Sequence, residues 1–149
     1  MTLQLTSALF ADGEMLPTRS SCDGEDLSPQ LEWTGVPAGA AELALTMLDP
    51  DAPGGTFVHW LLWGLPPRVH ELEEGVVPKG VHQGKNGFGR IGYGGPCPPR
   101  GDRPHRYVFT LYALSSPLSL PDGASFDELE AAIDGNVIEQ AQLIGRYAR

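Results

Sequence analysis

The 149-residue chain carries 10 basic and 19 acidic side chains, for a net charge of −9, and 41% of its residues are apolar. That length supports one hydrophobic core, so one domain over residues 1–149 is expected. An acidic surface with no Lys/Arg cluster excludes nucleic acid as a partner and argues against electrostatic docking on anionic membranes.

No run of about 18 apolar residues is present, so no integral membrane protein is expected, and the first ten residues lack the charged flank and apolar length of a signal peptide. The expected location is the cytoplasm. Residues 1–16 alternate weakly, with Leu3, Leu5 and Ser7 on one side, and predict an outer strand before a turn at Asp12 and Gly13. The turn-rich stretch 22–29, CDGEDLSP, leads to Leu31, Trp33 and Val36, a short strand with alternating burial. Its acids Asp23, Glu25 and Asp26 lack the spacing of a calcium loop and read as a solvated polar turn.

The centre of the chain is residues 43–67. Two apolar runs, 43–48 and 57–65, are too short for helices and rich in residues that suit a half-buried pleated surface. Between them Pro50, Pro53, Gly54 and Gly55 interrupt regular pairing, which leaves Asp49 and Asp51 on a shaped loop at a strand end. A side-chain period of two places His59 on one face with Phe57, Leu61 and Trp63.

His70 and His82 fall in charged or glycine-rich connections and are expected to face water. Residues 80–101 are dense in glycine and proline but contain Phe88, Ile91 and Tyr93, which predicts an ordered loop wrapping the site. It holds no GxxxxGK[ST] phosphate loop. Residues 105–114, HRYVFTLYAL, are apolar on both faces and read as a central strand whose entering end presents His105 and Tyr107 together. Ser125 and Glu128 form a capping box ahead of Leu129, Ile133 and Val137, which predicts one helix, and residues 140–147 alternate as a closing strand.

Two cysteines, Cys22 and Cys97, make no disulfide framework, and a reducing compartment would keep them as buried, inert thiols. Folded side by side, they would instead respond to oxidation. Asp49, Asp51 and His59 flank the first loop, and His105 and Tyr107 follow the second; neighbouring strands would converge them on one cavity. An imidazole beside a carboxylate, a phenol and loop amides suit a phosphate or a carboxylate ligand.

With DPDAP at 49–53, His59 in the next strand, and GYGGPCPPRG at 92–101 followed by HRY at 105–107, the chain resembles the phosphatidylethanolamine-binding protein family, also called Raf kinase inhibitor-like proteins. The likeness is to its short bacterial and archaeal branch, extends through CDGEDLSP and the 126–147 tail, and so covers nearly the whole chain. The resemblance implies an anion pocket in which Asp49 and Asp51 hold the geometry with Pro53, and in which Phe57 stands where an indole is common. His59 and Tyr107 would donate to the anion, amides of the 95–99 loop (Gly95, Cys97, with Pro98 and Pro99) would surround it, and His105 would close the far wall. Asp102, Arg103 and Pro104 lengthen the approach to HRY and are expected to change the rim rather than the floor. The chain ends without the C-terminal helix that borders the pocket in larger eukaryotic members.

The expected fold is mainly β: a large antiparallel sheet against a smaller one in a Greek-key-like sandwich, with one helix near the C-terminus. The expected function is binding of a small anion such as phosphoethanolamine, phosphate or acetate in a preformed pocket, with no cofactor. The resemblance adds a protein kinase or protease as a regulated partner and allows a homodimer. The rival is an enzyme, a metal- or His/Asp-dependent hydrolase of small phosphoesters, against which stands the lack of HExxH and GxSxG.

Overall fold

Apolar strands assemble into two antiparallel sheets whose apolar faces meet. The computed structural model describes residues 2–149, so Met1, at the head of the expected first strand, lies outside the described residues. A small sheet is formed by β1 (Gln4–Thr6), β2 (Leu31–Thr34) and β5 (Glu71–Leu72), in the order β1-β2-β5. The large sheet runs β6-β4-β3-β7-β8, from β3 (Glu42–Asp49), β4 (Phe57–Leu65), β6 (His82–Gln83), β7 (His105–Leu114) and β8 (Val137–Tyr147). The mainly β sandwich expected from the sequence is the fold observed.

The main core lies between the sheets, where Leu31 and Trp33 of β2 meet Leu43, Leu45 and Met47 of β3 and Tyr107, Phe109 and Leu111 of β7. On the opposite face α1 (Phe126–Ile133) sets Leu129 and Ile133 against Leu61, Trp63 and Leu114. The capping box that starts it is present: the Ser125 hydroxyl accepts the Glu128 N–H at 3.1 Å and the Glu128 carboxylate accepts the Ser125 N–H at 2.9 Å. Val137, expected to continue the helical stripe, opens β8 instead. Gly135, at φ +76°, turns the chain out of the helix, and β8 then pairs along the length of β7.

The strict alternation expected of β4 is broken twice. Met47 pairs with Trp60 and Leu48 with Val58, so His59 is the extra residue of a β-bulge. Phe57 and His59 therefore do share a face, but Trp60 and Leu62 follow on that same side while Leu61 and Trp63 turn to the helix. A second bulge between Leu62 and Leu65 contains Gly64, at φ +81°. His82, expected in a loop, instead opens edge strand β6, paired with Trp63; its side chain does reach solvent, 3.1 Å from Asp122.

Because Gly64 adopts a backbone conformation that costs an L-residue about 1–2 kcal/mol, Gly64→Ala should lower stability by that order. The urea midpoint should fall with an unchanged slope; an unaltered midpoint would mean that the bulge tolerates a side chain.

Candidate functional site

β3 and β7 run side by side with Leu48 opposite Val108, so the last residue of β3, Asp49, arrives beside the first residues of β7. The Pro- and Gly-rich segment after Asp49 then leaves the sheet and returns as β4. Asp49 is buried; its Oδ1 accepts the Asp51 N–H at 2.8 Å and its Oδ2 accepts from His105 Nδ1 at 2.7 Å. His105 Nε2 donates to Asp102 Oδ2 at 3.0 Å. Donation from both ring nitrogens belongs to imidazolium: burial opposes the charge on His105, and the hydrogen bonds to Asp49 and Asp102 outweigh it, so its pKa is raised. Asp102, expected only at the rim, thus touches the floor residue directly.

His59 has the opposite character. Its Nδ1–H donates to the Gly94 carbonyl at 2.6 Å, which leaves Nε2 uncommitted. Burial lowers its pKa, against the smaller raising effects of that carbonyl and of the Asp49 and Asp26 carboxylates. Its ring centroid lies 4.9 Å from that of Phe57 and 5.1 Å from that of Tyr107. The Tyr107 hydroxyl is buried with no hydrogen-bond partner, and burial together with nearby Asp49 pushes its pKa up.

These groups surround a cavity of about 130 Å³. Asp49, Pro53, Phe57, His59 and Cys97 line it, as do Pro98, Pro99, His105 and Tyr107. Two of the residues expected there do not. Asp51 instead borders a separate, wider cleft of about 750 Å³ and is gripped by Arg106, with Nε at 3.0 Å and Nη2 at 2.9 Å; that guanidinium holds its pKa down at about 2. Asp51 serves the cavity through its backbone N–H to Asp49 and by fastening its loop to β7.

Gly95 is the other. Its N–H, expected to meet an anion, donates to Asp26 Oδ1 at 2.8 Å, and a Cβ there would stand 2.2 Å from the Ser20 carbonyl oxygen. Only glycine permits that approach. The turn around Asp26, read as solvated from sequence, is therefore the anchor of the second loop, and Asp26 adopts φ 60°.

The cysteines overturn an expectation as well. Cys22 and Cys97 form a disulfide instead of remaining buried thiols. Tyr93 OH donates to the Ser20 carbonyl at 2.6 Å and the Cys22 N–H to the Pro96 carbonyl at 3.0 Å, and this zipper brings the two Cα atoms to 5.4 Å, within bonding range.

Sequence reasoning used Phe88 only as a sign of loop order and did not place it in the site, yet it lines the cavity with its ring 4.8 Å from Phe57. Nor did it notice Asn86, buried, whose side chain donates to the Gly92 carbonyl at 2.9 Å and accepts the Phe88 N–H at 2.9 Å. A lone asparagine amid glycines was the available signal, since such residues organise turns through their own side chains. Among the described residues no group of three or more His, Cys, Asp or Glu is placed to hold a metal ion, and no helix is long and apolar enough to cross a membrane.

Residues 6–148 match the family profile of the phosphatidylethanolamine-binding proteins. A UPF0098 protein of Aquifex aeolicus is 47% identical over 99% of this chain and 89% of its own length. Another, from Methanothermobacter thermautotrophicus, is 45% identical over 99% of both chains. The crystal structure of E. coli YbcL, a new member of the mammalian PEBP family, superposes with a TM-score of 0.94 at 34% identity, covering all of this chain and 99% of that one.

The two histidines should titrate on opposite sides of an ordinary imidazole in ring-proton NMR, His59 below and His105 above. A raised pKa means that the ion pairs of His105 stabilise the fold fully below the unfolded-histidine value and that this contribution fades as pH rises through the folded value. Asp102→Asn should bring the His105 midpoint down and shrink that pH-dependent stability; an unmoved midpoint would remove Asp102 from the site.

Proposed function

The chain belongs to the phosphatidylethanolamine-binding protein family, and from that premise and the geometry above we propose that it binds a small anionic group, a phosphate or carboxylate, in the cavity between β3, β4, β7 and the second loop. The observation that carries this reading is the Tyr107 hydroxyl, a buried donor with no partner at the wall of a cavity it shares with His59. An unsatisfied buried hydroxyl costs about 1–3 kcal/mol, which a ligand oxygen would recover. Asp49 does not repel such a ligand as a free carboxylate would, because His105 donates to one oxygen and the Asp51 amide to the other.

His59 supplies the charge. Its Nδ1 is occupied by Gly94, so the ligand meets Nε2, which donates to an anion only after taking up a proton. The cavity volume suits one compact head group. Beyond it the half-exposed ring of Phe88 and the exposed rings of Pro53 and Pro99 offer apolar surface to whatever that group is attached to, and a phosphoethanolamine-type headgroup fits this description. A regulated kinase or protease would engage the protein at this rim.

A hydrolase of phosphoesters is less well supported. His105 has both nitrogens tied to carboxylates and none left for a substrate, and no nucleophilic side chain is held against His59.

Sulfate, whose charge is constant across the range, tests the proposal by titration calorimetry between pH 5 and 8. Because burial disfavours the charged form of His59 in the free protein, affinity should rise as pH falls, by up to about tenfold per unit until the free imidazole is itself protonated. His59→Ala should abolish the pH slope, whereas Tyr107→Phe should weaken binding about tenfold at every pH and keep the slope. Binding that ignores both substitutions would place the anion elsewhere.

A further inference from the structure

We propose that Cys22–Cys97 is an exchangeable disulfide, opened by thiol attack on Cys22, and that its opening weakens anion binding in the adjoining cavity. Both cysteines are exposed to solvent, and Cys97 is part of the cavity wall. The bond closes a separation of 75 residues, joining the turn around residue 22 to the second loop. Pro96, Pro98 and Pro99 contribute no N–H, so the wall segment 96–99 has little backbone hydrogen bonding of its own. Past the Gly95 anchor on Asp26, its ties to the body are the Cys22 N–H to the Pro96 carbonyl and the disulfide itself.

The two sulfurs are not equivalent. Arg149 Nη1 stands 3.4 Å from Cys97 Sγ, while its Nε donates to Asp23 Oδ1 at 3.2 Å and its carbonyl accepts the Gly101 N–H at 3.4 Å, so the guanidinium is held in place. A cation there stabilises a thiolate on Cys97, and a sulfur that leaves as the more stable thiolate leaves faster. The geometry therefore gives the exchange a direction. A thiolate of a dithiol reductant bonds to Cys22 Sγ; the Sγ–Sγ bond breaks and its electron pair departs on Cys97, beside Arg149. The reductant's second thiol then displaces Cys22, which leaves Cys22 and Cys97 reduced by two electrons and the reductant oxidised to its own disulfide. In a reducing compartment the open form prevails and in an oxidising one the closed form, so cavity occupancy would follow redox conditions.

The effect on the cavity rests on the anion-binding reading above; the exchange chemistry does not. Oxidised protein incubated with glutathione and mapped by mass spectrometry should carry the adduct on Cys22. An adduct chiefly on Cys97, or no adduct under native conditions, would overturn the exchange. Arg149→Ala should slow native reduction about threefold, with Arg149→Lys restoring the rate; equal rates for all three would remove the guanidinium from the step.

For the coupling, sulfate affinity is compared between oxidised protein, reduced protein and the Cys22→Ser/Cys97→Ser double variant, which lacks both the bond and any thiolate. Reduced and double-variant proteins should bind about tenfold more weakly, because the wall must then be ordered on binding. If all three bind alike, the coupling is wrong while the anion reading stands. If oxidised protein fails to bind sulfate at all, the anion reading falls and takes the coupling with it, and the adduct map still decides the exchange.

Discussion

The site depends on one buried contact, the 2.7 Å hydrogen bond from His105 to Asp49. It joins the end of β3 to the beginning of β7 and pairs the buried Asp49 carboxylate with an imidazole at the cavity wall. Breaking one partner would leave a charge stranded in a nearly dry site, which is why such pairs are costly to split even where their net contribution to folding is small. Asp102 completes the arrangement from the solvent side, and the Asp51–Arg106 clasp keeps the first loop in position to maintain it.

Two histidines in one cavity have been given opposite tasks by their surroundings. His105 sits between carboxylates that favour its charged form. His59 sits among the rings of Phe57, Phe88 and Tyr107 with its Nδ1 on a carbonyl, where burial disfavours its charged form. In this chain of net charge −9 the cavity wall contains no lysine or arginine, so its two imidazoles are the only basic side chains that line it. The bulge at His59 is part of the same device, since the extra residue turns the imidazole towards Tyr107 while the strand beyond it resumes core packing on both faces.

The second loop is ordered by contacts that its composition conceals. Glycines at 87, 94 and 95 admit Phe57, Phe88 and the Ser20 carbonyl at distances a side chain would forbid, and the polar atoms of Asp26, Asn86 and Tyr93 fasten the loop to the body. The disulfide adds a covalent tie in the one stretch where proline removes the backbone donors. Order here comes from long-range partners.

Alternation of apolar residues, the capping box at Ser125 and the runs around Asp49 and His105 were enough to identify the longer strands, the helix, the sandwich and the family, though not the two-residue strands β5 and β6, because each is a local pattern whose physical cause lies within a few residues. The same motifs pointed to Asp49, His59, His105 and Tyr107 as a group. What the linear pattern could not contain was how partners distant in the chain would be matched. The fate of Gly95's amide was decided by Asp26, the state of Cys97 by Cys22, and the raised pKa of His105 by Asp49 together with Asp102. The faces of Leu61 and Trp63 were decided by an extra residue in β4 that shows only when β3 is laid beside it. Hydrogen bonds, disulfides and strand register are relations between segments, and their energies exist only once the tertiary fold has brought those segments together.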